Sequence, residues 1–171
     1  MISAGFWPGG GPIDGAAFYS YTVPQPPGLS DEPVKPAAAF WSKDLSEYLL
    51  MYDEVRRAES PRAMLLDFLE STYAACLQYE LNDAGYRCSA QVGLPVVYRA
   101  VRLDLGYRMD LVVEDLVVVE IKSVDAISPV HQAQILSYLK LSGKSIGLLI
   151  NFNVIHLKDG IKRFVNGTGW K

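Results

Sequence analysis

At 171 residues, half of them hydrophobic and a fifth charged, the chain can bury one well-filled core but would be cramped as two full domains. Its net charge of −3 excludes a chain coated in basic residues for wrapping nucleic acid. The longest apolar runs, 116–119 and 146–150, fall far short of the roughly 20 residues a membrane span needs, so a soluble chain with no membrane partner is expected.

The charge is unevenly placed. Residues 31–85 hold eleven acids against five bases, whereas residues 122–171 hold seven bases against two acids, so a polyanion could approach the C-terminal half. An ordinary solvated basic surface fits the same numbers. The first residues lack the basic start and apolar stretch of a secretory signal, and the two cysteines, Cys76 and Cys88, match no zinc spacing. Reduced thiols in a cytoplasmic protein are the expectation.

In chain order, residues 1–39 read as an irregular arm, because Gly9-Gly10-Gly11-Pro12 and Pro24-Gln25-Pro26-Pro27-Gly28 suit neither a long helix nor a central strand. Phe6, Trp7, Phe18, Tyr19 and Tyr21 make it too aromatic for a plain linker, so it should lie over some surface. Ser42 looks like an N-cap for a helix over 43–58, with Leu45, Tyr48, Leu49, Tyr52 and Val55 on one face. That helix, set in a segment 40–60, is expected to fold back so that Leu45, Leu49 and Tyr52 meet Leu65, Phe68 and Leu69. On this reading residues 1–38 are dispensable for folding and residues 1–59 are not.

Ser60-Pro61 opens a second helix that Gly85 stops. Beyond it the period becomes extended: strands over 86–92 and 95–101 split by Gly93, then a hairpin of 108–113 with 116–123 around Glu114-Asp115. Ser128-Pro129 starts a third helix through about Leu141. The apolar run 145–151 reads as a central strand buried on both faces, and 161–165 as a last short one.

Asp110 and Glu120-Ile121-Lys122 stand in strands that are otherwise apolar, where charges are seldom placed without partners. Glu120 and Lys122, two apart in a strand, share a face. Asp110 joins them if 110 lies opposite 120, which requires a three-residue loop 114–116; a two-residue turn would send Glu120 to the other face. Two carboxylates brought together repel and favour a shared proton or a divalent cation, and oxygen ligands suit Mg²⁺ or Mn²⁺. A nearby ammonium could then balance negative charge at phosphorus. The same spacing also suits a Glu–Lys ion pair on a wet sheet face with Asp110 an edge charge.

Several blocks are similar to the GxxExxY family of the PD-(D/E)xK nuclease superfamily over residues 69–166. They are Leu69-Glu70-Ser71-Thr72-Tyr73, Gly106-Tyr107-Arg108-Met109-Asp110-Leu111, Val119-Glu120-Ile121-Lys122, Pro129-Val130-His131-Gln132-Ala133-Gln134 with Tyr138-Leu139, and Gly147-Leu148-Leu149-Ile150-Asn151-Phe152-Asn153. The resemblance implies an α/β, restriction-endonuclease-like α+β core over 61–167: a mixed sheet with flanking helices, preceded by the arm and the helix. It further implies Asp110 and Glu120 as metal ligands, Lys122 as the catalytic lysine, Glu70 as an accessory acid, and Gln134 with Tyr138 lining the site. The implied partner is nucleic acid, DNA before RNA, with a homodimer as an option. Asp67 stands where that family has its glycine. Residues 6–75 instead resemble the C-terminal part of another, uncharacterised bacterial domain family, through Phe6-Trp7-Pro8-Gly9-Gly10-Gly11 and Phe18-Tyr19-Ser20-Tyr21, which implies a fusion near residues 69–73. A phosphodiesterase is thus expected, with a nuclease-fold binding or assembly module as the alternative. His131 reads as a structural hydrogen-bonding residue before a metal ligand.

Overall fold

The computed structural model describes residues 1–98 and 101–167, the side chains of 96–98 and 101–106 excepted. By its internal contacts the chain divides into two units, Met1–Asp83 and Ala84–Lys171.

In the first unit, β1 (Ile2–Trp7), β2 (Ala17–Thr22), β3 (Phe40–Ser42) and β4 (Glu47–Met51) form an antiparallel sheet in the order β1-β2-β4-β3, followed by α1 (Tyr52–Arg57) and the long α2 (Pro61–Asp83). The irregular arm expected over residues 1–39 is therefore half of a sheet. Its glycines make the connection rather than break the strands: Gly9, Gly10 and Gly11 all take positive φ between β1 and β2. The alternating Ala-Phe-Tyr-Ser-Tyr-Thr of β2 is strand text.

The helix expected over 43–58 is likewise corrected. Glu47, Tyr48, Leu49 and Leu50 are all buried because β4 lies between β2 and β3 with both faces covered, and a short apolar run of that kind fits a strand as well as a helical face. Ser42 ends β3 and caps no helix; its hydroxyl accepts the Leu45 N–H in a tight turn that passes through Ser46 at φ 57. Helix begins only at Tyr52.

Alternation along β4 separates two clusters. Tyr48 and Leu50 join Leu29, Val55, Phe68, Ala75 and Cys76, with Leu65 and Leu69 partly buried against them. Leu49 joins Ile13 and Ala17, with Leu45 and Tyr19 packed alongside. Tyr48, Leu50 and Val55 thus meet α2, not Leu45 and Leu49, while Tyr52 packs against the rings of Phe6 and Phe18. The Tyr48 hydroxyl donates to the Leu29 carbonyl, and the Trp41 ring meets Tyr48 edge-on at 4.9 Å.

The second unit is a mixed five-stranded sheet in sequence order: β5 (Cys88–Tyr98), β6 (Val101–Val113), β7 (Val117–Lys122), β8 (Ile146–Asn151) and β9 (Ile161–Val165). All neighbours are antiparallel except β7 and β8, whose parallel pairing is served by the crossover helix α3 (Pro129–Ser142). This is the α+β, restriction-endonuclease-like core expected. One continuous β5 replaces the two strands expected over 86–101. It runs through Gly93, and its register against β6 shifts between Leu94 and Val96, at Pro95, as suits an edge strand. Residues 99 and 100 of the expected second strand lie outside the described ones.

The run 146–151 is flanked by strands on both sides, as its unbroken apolar text requires. Helix α3 sits close over it because Gly147 has no side chain: a β-carbon there would meet Ile135 at 2.9 Å and Leu139 at 3.2 Å. Gly160 is tighter still, since a β-carbon would overlap the backbone carbonyl of Asn151. Gly160→Ala is accordingly expected to destabilise the second unit by roughly 1–3 kcal/mol, the usual cost of overpacking. Chemical denaturation of the full chain measures this, and an unchanged midpoint would mean that the β8–β9 connection yields freely.

Candidate functional site

The β6–β7 hairpin closes through residues 114–116, with Glu114 and Asp115 at φ 53 and 56 and the Leu116 N–H on the Val113 carbonyl at 2.9 Å. Its ladder pairs Val113 with Val117, Val112 with Val118 and Leu111 with Val119. The next step in that register sets Asp110 across from Glu120, so of the two loop lengths open from the sequence the three-residue one, which a shared face requires, is present. There the ladder gives way to a side chain: Asp110 Oδ2 accepts the Ile121 N–H at 2.8 Å. Asp110 therefore bridges to the strand that carries Glu120 and Lys122.

Glu120 is almost wholly buried, and Lys122 Nζ donates to its Oε1 at 2.7 Å. The other oxygen, Oε2, is buried with no hydrogen-bond partner among the described residues. Burial first, and then the negative charge of Asp110, push the Glu120 carboxyl up to about 7, while Lys122 opposes them. The ion-pair reading of Glu120 and Lys122 is thus correct as geometry, yet the pair is sheltered rather than wet and leaves one acid oxygen unanswered. Among the described residues, no group of three or more His, Cys, Asp or Glu side chains is placed to hold a metal ion.

From α3, Gln134 Nε2 donates to the Tyr138 hydroxyl at 2.7 Å, and the Tyr107 ring lies 5.4 Å from that of Tyr138. Burial raises the Tyr138 phenol, the Gln134 hydrogen bond lowers it, and the charges of Glu120 and Asp110 raise it further against Lys122. Tyr138 therefore stands within electrostatic reach of all three motif residues. His131 is the structural residue expected. Its Nδ1 accepts the Ser128 N–H at 3.2 Å, closing a capping box at the start of α3 in which His takes the place usually held by Glu or Gln. Desolvation and the Lys122 charge both lower its pKa. Glu70 lies on α2, in the first unit.

Residue type and spacing assign Asn151 no role. It pairs with Lys122 across the parallel strands, is buried, and clamps the chain just past the lysine: its Oδ1 takes the Val124 N–H at 3.0 Å and its Nδ2 gives to the Val124 carbonyl at 2.8 Å. The Phe152 N–H adds a bond to the Lys122 carbonyl. An asparagine closing an apolar strand was the only signal, and its partner lies 27 residues away.

The family model of the PD-(D/E)XK nuclease superfamily matches residues 62–164, and that of a family of unknown function (DUF5996) matches residues 1–85, so the two overlap on α2. No curated protein matches the chain. Among solved structures, the crystal structure of SSO0001 is similar, with a TM-score of 0.45 and 20% identity over 66% of this chain; the match spans 56% of that protein. With its D…E-x-K residues gathered on neighbouring strands and the first of these family models covering more than half its length, the chain belongs to the PD-(D/E)XK nuclease superfamily.

Proposed function

We propose that the chain is a divalent-metal-dependent phosphodiesterase acting on nucleic acid, DNA before RNA, with Asp110 and Glu120 as metal ligands and Lys122 as the catalytic lysine. The observation that carries this reading is Glu120 Oε2, a buried carboxylate oxygen beside a second acid and with no partner among the described residues. Such an atom is costly unless something binds it. Two carboxylates fit Mg²⁺ or Mn²⁺, which keep several waters and commonly take only one or two protein carboxylates plus substrate phosphate. When bound, the ion would supply Lewis-acid polarisation of the phosphate and an activated water.

The chain's own residues would do the rest. Lys122 is held at Glu120 Oε1, from where its ammonium can offset the charge that grows on a phosphate in the transition state. Asn151 fixes the backbone that aims it. Tyr138, oriented by Gln134, would border the reacting group, and Glu70 is proposed as an accessory acid on the family pattern alone. The small acidic set favours one second reading, a nuclease-fold binding or assembly module without turnover.

Incubating the full chain with mixed single- and double-stranded DNA and RNA separates the two. Cleavage that requires magnesium, stops with chelator and disappears in Asp110→Asn supports the enzyme. Tight binding without magnesium-dependent cleavage by a folded wild-type chain would sink it.

A further inference from the structure

The sheet of the first unit has unlike faces. One is covered by α2 through Tyr48, Leu50 and Phe68, and on that side the Thr22 hydroxyl donates to Glu80 at 2.5 Å. The opposite face carries Ala17 and Tyr19 of β2 and Leu49 and Met51 of β4, packed with Ile13 and Leu45. Strand alternation puts Tyr21 and Glu47 on this same face. Glu47 lies opposite Ser42 of β3, and the β2–β4 register, carried one pair past Ser20 and Tyr48, sets Tyr21 across from it.

Only 8% of Glu47 is exposed, and no hydrogen bond or ion pair reaches its carboxylate from any described residue. Burial alone raises its pKa. A charge shielded in this way is normally paired, because losing water without a partner is costly. On the same face, Tyr19 and Tyr21 stack with centroids 6.0 Å apart and planes at 21°, and the Tyr19 ring lies across Gly5 of β1, where a β-carbon would strike its hydroxyl end. Aromatic rings sharing a sheet face with an unpaired carboxylate are surroundings in which a positively charged organic group can be held, by ring quadrupole and by charge together.

We propose that this face is a binding site for a monovalent organic cation, a guanidinium or an alkylammonium, held by the Glu47 carboxylate with Tyr21 and Tyr19 flanking it. An organic cation gains from the rings as well as the acid, a gain that a hydrated metal ion does not share. The cation has two sources, a free small amine or guanidine and the Arg or Lys side chain of a partner protein. The site lies in the unit without the D…E-x-K motif and does not depend on the nuclease reading.

Titration of the full chain, followed by backbone amide NMR, tests the proposal with arginine amide and butylammonium in one arm and short Arg- or Lys-containing peptides in the other. Saturable shifts on β2 and β4 are expected, weakened about 10-fold by Glu47→Gln and several-fold by Tyr21→Leu, the size of a carboxylate and a ring contact to a cation. Glu47→Gln should meanwhile melt no lower than the wild type at neutral pH, which separates lost binding from lost fold. Peptides binding well above the free cations assign the site to a partner's side chain, and equal binding assigns it to a small cation. Absence of saturation in both arms, or unchanged binding by Glu47→Gln, would overturn the proposal.

Discussion

Replacing Glu120 with glutamine is expected to make the second unit more stable above pH 7 while removing both its magnesium response and its phosphodiesterase activity. The folded wild type holds the Glu120 proton more tightly than the unfolded chain does, with a carboxyl at about 7 against an ordinary 4.5. Between those values the folded state binds the extra proton, so wild-type stability falls as pH rises from about 4.5 to about 7 and stays low beyond. Every tenfold change in proton affinity corresponds to roughly 1.4 kcal/mol, and the value of about 7 already includes the opposing pull of Lys122, so a gain of about 1–3 kcal/mol at pH 8 is the expected size. At pH 5 the wild-type acid is largely neutral and the two proteins should nearly coincide.

Magnesium should stabilise the wild type at pH 8, because an ion that binds only the folded state raises its stability by mass action, and the glutamine variant should lose most of that gain. Cleavage should drop by at least about 100-fold, the loss typical when a charge-stabilising group is removed. Thermal melts at pH 5 and pH 8 with and without magnesium, beside a cleavage assay, measure all of this. A variant that melts lower than the wild type at pH 8 and still responds to magnesium would place the strain and the ion somewhere other than Glu120.

Legibility followed the range of the interactions involved. The D…E-x-K residues were readable from type and spacing, but their register was left between a two-residue turn and a three-residue loop, and the backbone at Glu114-Asp115 decides for the latter. Helix α3 was readable from Ser128-Pro129, although His131 as the return partner of the capping box was not, since that role usually falls to Glu or Gln. The strand 146–151 announced itself by having no polar alternation. In the first unit the same kind of apolar run misled, because β4 owes its strand state to β2, about thirty residues earlier, and nothing within 43–58 records that pairing. The glycines after Trp7 misled for a related reason: they mark a connection between strands that meet only once the chain has turned back. Of the site, the charged motif could be read from residue type and spacing, whereas the Asn151 clamp could not, since it joins two strand ends across the whole α3 crossover.

Removing residues 1–38 is expected to unfold the first unit, and not to leave it intact as the Gly- and Pro-rich text suggests. The cut takes away β1 and β2, two of the four strands, and strips one side of β4, leaving β3 and β4 as a two-stranded ribbon that is marginal by itself. It also removes Leu29, the fully buried centre of the cluster on α2, and with it the carbonyl that receives the Tyr48 hydroxyl. On the other face Leu49 loses Ile13 and Ala17. Losing a single buried leucine side chain costs about 2–5 kcal/mol, against roughly 5–15 kcal/mol for a whole domain. Deleting several such contacts together with two strands therefore exceeds what the unit has. The bare edge of β4 and the exposed Phe68 side of α2 should drive aggregation. Limited proteolysis should find the truncated chain cut within residues 40–83, where the full chain resists, and removing residues 1–59 should be no more damaging than removing 1–38. A chain lacking residues 1–38 that resists protease like the full one and melts at the same temperature would show that β1 and β2 are accessory to the unit.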